Sequence, residues 1–154
     1  MTRADAFWLY LATLGPIGRL PAAPGTFGSA VAVVLAPFVL LPLPLPWRVA
    51  LLVALFYVGA LAAGRAERLF GQKDPGQVVI DEVLGQWLTL LPLASPDLPE
   101  LAAGFVLFRL FDITKLPPIH ASERWLPGGY GVMIDDVLAG VYAGVLLALL
   151  HWLR

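Results

Sequence analysis

Apolar residues dominate long stretches of this chain, and polar ones gather in short intervals between them. The first uncharged run goes from Gly28 to Pro46 and includes Val31, Val33, Val34, Leu35, Phe38, Val39, Leu40 and Leu41. Its length is about what crossing a bilayer core takes. Pro37 lies inside it and removes one helical hydrogen bond, so a kink is expected; Pro42, Pro44 and Pro46 then close the helix in a turn. A second run, Trp47 to Gly64, follows with Trp47 and Tyr57 as interface anchors and ends at Arg65, Glu67 and Arg68. A third helix is predicted from Pro75 to about Leu91, stopped by Pro92 and Pro96, and a fourth from about Pro99 to Phe111. A loop rich in proline and glycine (Pro117, Pro118, Gly128, Gly129, Gly131) precedes a last span from about Val132 to Leu153. The third and fourth segments are short for a full crossing, which allows a hairpin that dips partway or tilts in a thinned bilayer. Met1 to Leu14 carries Arg3 and Asp5 before a short apolar stretch without a small-residue cleavage pattern, and reads as an interfacial helix rather than a signal peptide.

Composition agrees with this pattern. Of 154 residues, 59% are hydrophobic and 14% charged, with a mean hydropathy of +0.81; a soluble domain of this size could not hide so much apolar surface. The fold class expected is all-α, a polytopic membrane bundle of short spans with an N-terminal interfacial helix, in one domain over residues 1–154. A net charge of −1 leaves no basic stripe for nucleic acid. The absence of cysteine removes disulfides, thiolate metal sites and cysteine-nucleophile phosphatases. There is no internal repeat.

Charge sets the expected orientation. Alternating crossings put Arg3, Arg19, Arg65, Arg68, Lys73, Arg109, Lys115 and Arg124 on one side and leave Arg48 and Arg154 on the other. The crowded side is therefore expected to be cytoplasmic, in the inner membrane of the cell.

Three helices bring acids to that same side: Asp81 and Glu82 on the third, Asp112 on the fourth, Asp135 and Asp136 on the fifth. Each unpaired carboxylate in a span costs roughly 2.5–3.5 kcal/mol on insertion scales. A divalent cation would compensate for it. Acids at helix N-termini also answer the helix dipole, which would account for all but Asp112, at a helix end where the dipole opposes it. Oxygen-only ligands without nearby His or Cys suit Mg²⁺. Arg109, Asp112 and Lys115, spaced by three, share a helix face; they form either an ion-pair ladder or a pair of cations for a phosphate dianion. Pro24-Gly25-Thr26-Phe27-Gly28-Ser29 opens the first span with small residues, either a capped turn or a cradle of backbone N–H groups around Thr26. His120 and His151 are given no ligand role.

The segments Pro24 to Ser29, Val79-Ile80-Asp81-Glu82-Val83-Leu84-Gly85, Phe108-Arg109-Leu110-Phe111-Asp112-Ile113 and Gly131 to Gly140, around Asp135-Asp136, stand in the order seen in one family. The chain resembles phosphatidylglycerophosphatase A over nearly its whole length. It departs where the family places a proline directly after the lysine, because Leu116 here separates Lys115 from Pro117. The resemblance implies an all-helical, Mg²⁺-dependent lipid phosphatase. Its substrate would be phosphatidylglycerophosphate in the bilayer, and its products phosphatidylglycerol and phosphate. The roles expected are metal binding by Glu82, Asp135 and Asp136, phosphate binding by Thr26, Arg109 and Lys115, and catalysis by Asp81 and Asp112 with Arg109 and Lys115. Either a carboxylate or a water could be the nucleophile. The competing expectation is a small transporter or a phosphotransferase using intramembrane acids; a transporter would spread its carboxylates through the bilayer depth.

Overall fold

A computed structural model describes residues 1–154 as seven α-helices without a strand. They are α1 (Arg3–Ala12), α2 (Pro24–Val39), α3 (Leu45–Phe70), α4 (Ile80–Leu90), α5 (Leu98–Thr114), α6 (Ile119–Ser122) and α7 (Gly129–Trp152), with a 3₁₀ turn at Ile17–Arg19. The N-terminal helix exists because Thr2 caps it: the Thr2 hydroxyl accepts from Asp5 N–H, and the Asp5 carboxylate accepts from Thr2 N–H.

Several boundaries differ from the sequence pattern, each for a local reason. Pro37 does lie inside α2, but the helix ends at Val39, since Pro42 and Pro44 cannot supply N–H groups to continue it. α3 runs past Gly64 to Phe70 and stops at Gly71, whose left-handed backbone closes the last turn. α4 begins at Ile80 rather than Pro75, because Val79 has a non-helical backbone and donates its N–H to Ala12 O across the molecule at 2.9 Å. Asp97 caps α5 reciprocally with Glu100. α7 starts at Gly129, three residues before the expected Val132.

α3 and α7 are long and apolar enough to cross a membrane. α2, α4 and α5 have 16, 11 and 17 residues, so they reach roughly 24, 16 and 26 Å against a hydrocarbon core of about 30 Å. Packing is inverted relative to a water-soluble bundle. The buried positions of α2, α3 and α7 include Ala32, Ala36, Ala60, Ala62, Ala63, Ala66, Ala139 and Ala143, while Val34, Phe38, Tyr57, Val106, Val145 and Leu149 face outward. Small residues inside let helix backbones approach, which is how helices pack where lipid removes the hydrophobic drive. α4 is the exception: nine of its eleven residues are buried, and it is enclosed by α2, α3, α5 and α7.

The end of the bundle away from the acids is fastened by Arg48. Its buried guanidinium donates to Leu41 O (2.6 Å), Leu43 O (2.8 Å), Leu93 O (2.7 Å) and Ala94 O (3.2 Å). One cation thus ties the α2–α3 turn to the α4–α5 turn. Nearby, His151 Nδ1 lies 2.6 Å from Glu100 Oε1, and Arg154 donates to Asp97 at 3.0 Å. These pairs join the ends of α5 and α7 and explain why His151 needs no ligand role.

Candidate active site

The site is placed by a glycine crossing. A Cβ on Gly140 of α7 would lie 2.5 Å from Gly85 O of α4, and one on Gly85 would lie 2.7 Å from Asp136 O. Only glycine lets the two backbones come this close. Both helices run away from the same end of the molecule, so one turn back from the crossing, Asp81 stands four residues before Gly85 and Asp136 four before Gly140. Asp81, Glu82 and Asp136 consequently offer carboxylate oxygens all within 4.8 Å of one another. Asp81 and Asp136 are 7% and 3% exposed. Glu82 Oε2 and Asp136 Oδ2 are buried without a hydrogen-bond partner.

Because α7 starts at Gly129, Asp135 and Asp136 lie in its second turn and not its first. The helix dipole acts mainly over one turn, so it does not account for this pair. It does accommodate Asp81 and Glu82, which stand in the first turn of α4. Each pair is also split in direction, as neighbours on a helix must be: Asp136 turns to the centre, while Asp135 turns to Lys115.

The cations are held by acids. Arg109 on α5 donates to Asp112 Oδ2 at 2.5 Å and stands 3.8 Å from Glu82 Oε1, with its Nε buried and without a partner. Asp112, near the C-terminal end of α5, thus has Arg109 to offset the helix dipole, and it lies beside Asp136. Lys115, the left-handed residue that ends α5, sits between Glu123 and Asp135 Oδ2, the latter at 2.8 Å. Burial would lower its pKa, but the hydrogen bonds from Lys115 to Asp135 and Glu123 hold it well above the ordinary lysine value. The Asp74 carboxyl at the rim is pushed up by burial despite the opposing charge of Lys115.

The wall of the centre on the α2 side is Gly25, where a Cβ would meet Glu82 Oε1 at 2.0 Å and the Arg109 guanidinium at 3.4 Å. Thr26 is close in sequence but differently engaged, since its N–H goes to Ala23 O at 3.0 Å; its backbone donor is therefore used within the helix. His120 is exposed on α6.

The carboxylates that meet at one point are therefore Asp81, Glu82 and Asp136, with Asp112 and Arg109 at the edge. Asp135 belongs to the Lys115 pair and not to this trio. Two features were missed by sequence reasoning. The glycine crossing was legible as the repeated interval of four from an acid to a glycine. Gln86, one turn beyond Glu82, is fully buried with both amide atoms unpartnered, and no motif marks it.

The family model for phosphatidylglycerophosphatase A matches residues 10–151. The chain belongs to this family. It is 38% identical to the phosphatidylglycerophosphatase A of Escherichia coli over 149 residues, covering 94% of this chain and 85% of the relative. The Haemophilus influenzae phosphatidylglycerophosphatase A is 34% identical over 137 residues, 88% of this chain and 84% of that one. A Bacteroides thetaiotaomicron protein, named provisionally as a phosphatidylinositol-3-phosphatase, is 44% identical over 143 residues, 88% of this chain and 87% of its own length. No solved structure matches the chain. Membership in the phosphatidylglycerophosphatase A family makes the protein a lipid phosphatase, a hydrolase, and the four motifs that carry the resemblance all lie at the acidic end of the bundle.

Proposed function

We propose that the protein hydrolyses the terminal phosphate monoester of phosphatidylglycerophosphate at the Asp81–Glu82–Asp136 centre, on the cytoplasmic face of the inner membrane, with Mg²⁺ as cofactor. The observation that carries this reading is the meeting of three carboxylates from two helices within 4.8 Å, two of them with a buried oxygen that has no partner. Carboxylate-only donors at this spacing fit a hard, oxygen-seeking cation. Asp81, Glu82 and Asp136 would hold it. When bound, Mg²⁺ supplies charge neutralisation for the carboxylates and for the phosphoryl oxygens.

The chain's own residues do the rest. Arg109, with an unpartnered buried Nε, grips and orients the phosphate dianion at the edge of the centre. Lys115 adds a second positive charge, kept in place by Asp135 and Glu123. Asp112 is the carboxylate that stands outside the trio yet beside it; it takes a proton from the water whose oxygen bonds to phosphorus, and as the ester P–O bond breaks it returns that proton to the departing glycerol oxygen. The acyl chains stay in the bilayer against the outward apolar faces of α2, α3, α5 and α7, which set the headgroup at the depth of the acids.

Phosphate release by purified protein, with phosphatidylglycerophosphate and phosphatidylinositol 3-phosphate compared with and without Mg²⁺, tests this directly. The second lipid is included because the Bacteroides thetaiotaomicron relative bears that activity in its name. Phosphatidylglycerophosphate should be the better substrate, chelation should abolish release, and Asp136→Asn should move half-activation to higher Mg²⁺. Undiminished turnover in excess chelator, or no turnover of phosphatidylglycerophosphate with Mg²⁺ present, would defeat the proposal.

A further inference from the structure

We propose that the seam between α3 and α7 binds a second phospholipid, one with an anionic phosphodiester headgroup, at a site separate from the acidic centre. A cavity of about 540 Å³ lies here, away from the carboxylates. Trp8, Gly64, Arg65, Arg68, Gly129 and Tyr130 line it, and none belongs to the centre. An adjoining groove of about 330 Å³ extends it along Arg68 to Lys73.

The charges in this seam are unsatisfied. Arg68 and Lys73 are exposed, and neither has a carboxylate within ion-pair distance. Arg65 has only a long contact to Asp5, 3.8 Å, and otherwise stacks over the Trp8 ring at 5.9 Å. The acid of the cavity, Glu67, accepts the Asp74 N–H at 3.1 Å. Three cations thus line the cavity and groove against one lining acid, Glu67, with Asp5 and Asp74 outside the lining, which favours an anion. Guanidinium groups are suited to phosphate oxygens.

Depth selects a lipid among the anions, an argument that rests on the membrane placement of α3 and α7. About 20 residues of helix span the hydrocarbon core, and counting from Leu45 that distance ends near Gly64. Arg65, Arg68, Trp8 and Tyr130 therefore stand at headgroup level, where amphipathic aromatic rings also collect. Deeper, where α3 meets α4 and Val137 of α7, lies an all-apolar groove of about 240 Å³ that includes Val49, Val53, Phe56, Leu84 and Leu88. Phe56 of that groove and its neighbour Tyr57 have ring centroids 6.0 and 6.4 Å from that of Tyr130, which lines the cavity. Cationic, then aromatic, then apolar surfaces complement the phosphodiester, the ester region and the acyl chains of a phospholipid in turn. The product of the proposed reaction belongs to this class of lipid, so the seam would report the anionic content of the leaflet to the enzyme.

The test uses the full chain in nanodiscs of phosphatidylcholine doped with phosphatidylglycerol, with retained lipid counted by native mass spectrometry. The parental protein should keep one phosphatidylglycerol. Arg65→Gln with Arg68→Gln should weaken retention about tenfold or more. Leu61→Trp should do the same by filling the cavity with its charges intact, which guards against a double variant that fails to fold. Arg154→Gln at the far end should change nothing. Phosphate release in neutral detergent should be unaltered in the seam variants. Equal retention by both seam variants, displacement of the lipid by inorganic phosphate, or a raised KM for substrate in neutral detergent would each overturn the proposal. Absence of hydrolysis by the parental protein would instead count against the reaction proposed above and leave lipid retention to be read independently.

Discussion

Arg109 has a planar fork whose parts are engaged separately. One nitrogen binds Asp112, the same edge faces Glu82, and Nε is buried without a partner. Lysine keeps the charge but cannot divide it in this way. Arg109→Lys should lower kcat by about tenfold or more, whereas His120→Ala, on the exposed α6, should leave kinetics at the parental values; parental rates in Arg109→Lys would remove it from the site. Gln86 is the opposite kind of residue, polar where nothing polar meets it. A buried amide without partners costs folding free energy, on the order of 1–3 kcal/mol, so Gln86→Met should raise the thermal unfolding temperature. A fall would mean that the amide is bonded to something in the folded protein. Residue chemistry was the most legible layer of the sequence, because Asp81, Glu82, Arg109, Asp112 and Asp136 are charges in apolar surroundings. Which of Asp135 and Asp136 turns inward was not legible, since that depends on the rotation of α7, fixed by contacts of Gly129 and Gly140 with other helices.

At the scale of elements, the α4–α7 crossing determines whether the acids meet at all. Gly140→Ala puts a methyl group 2.5 Å from a backbone oxygen that cannot move aside, and overpacking of this kind costs about 1–3 kcal/mol. The larger effect should be functional: separating the helices opens the trio, so half-activation by Mg²⁺ should rise more steeply than stability falls. Gly76→Ala, with open space around its Cβ, is the control and should match the parental protein in both measurements. Helix existence was readable from apolar runs and prolines; helix starts were less so. Pro75 offered a helix-starting signal that the chain does not use, because the Val79 N–H is claimed by Ala12 O from a segment more than sixty residues away. Long-range hydrogen bonds of that kind leave no mark in a local pattern. The role of Arg48 was hidden for the same reason: a lone cation near a helix start looks like a topology signal, whereas four carbonyls from two turns converge on it.

For the whole molecule, the lack of cysteine makes orientation directly measurable. Single cysteines at Lys73 and Arg124, both exposed, should react with an impermeant thiol reagent only when the cytoplasmic side is open, and one at the exposed Leu153 only from the other side. Reaction of Lys73→Cys in intact cells would reverse the topology. The enclosure of α4 carries one more consequence, for biogenesis. This half-length helix presents Asp81 and Glu82 to its surroundings, and its partners include α7, which follows it by about forty residues in the chain. Before α7 is made, α4 has no Gly140 against which to seat Gly85, and its acids have no Asp136 beside them. A nascent chain that stops short of Gly129 therefore leaves two carboxylates at the membrane without their counterpart, so the acids of α4 gain the company of Asp136 only once α7 has packed.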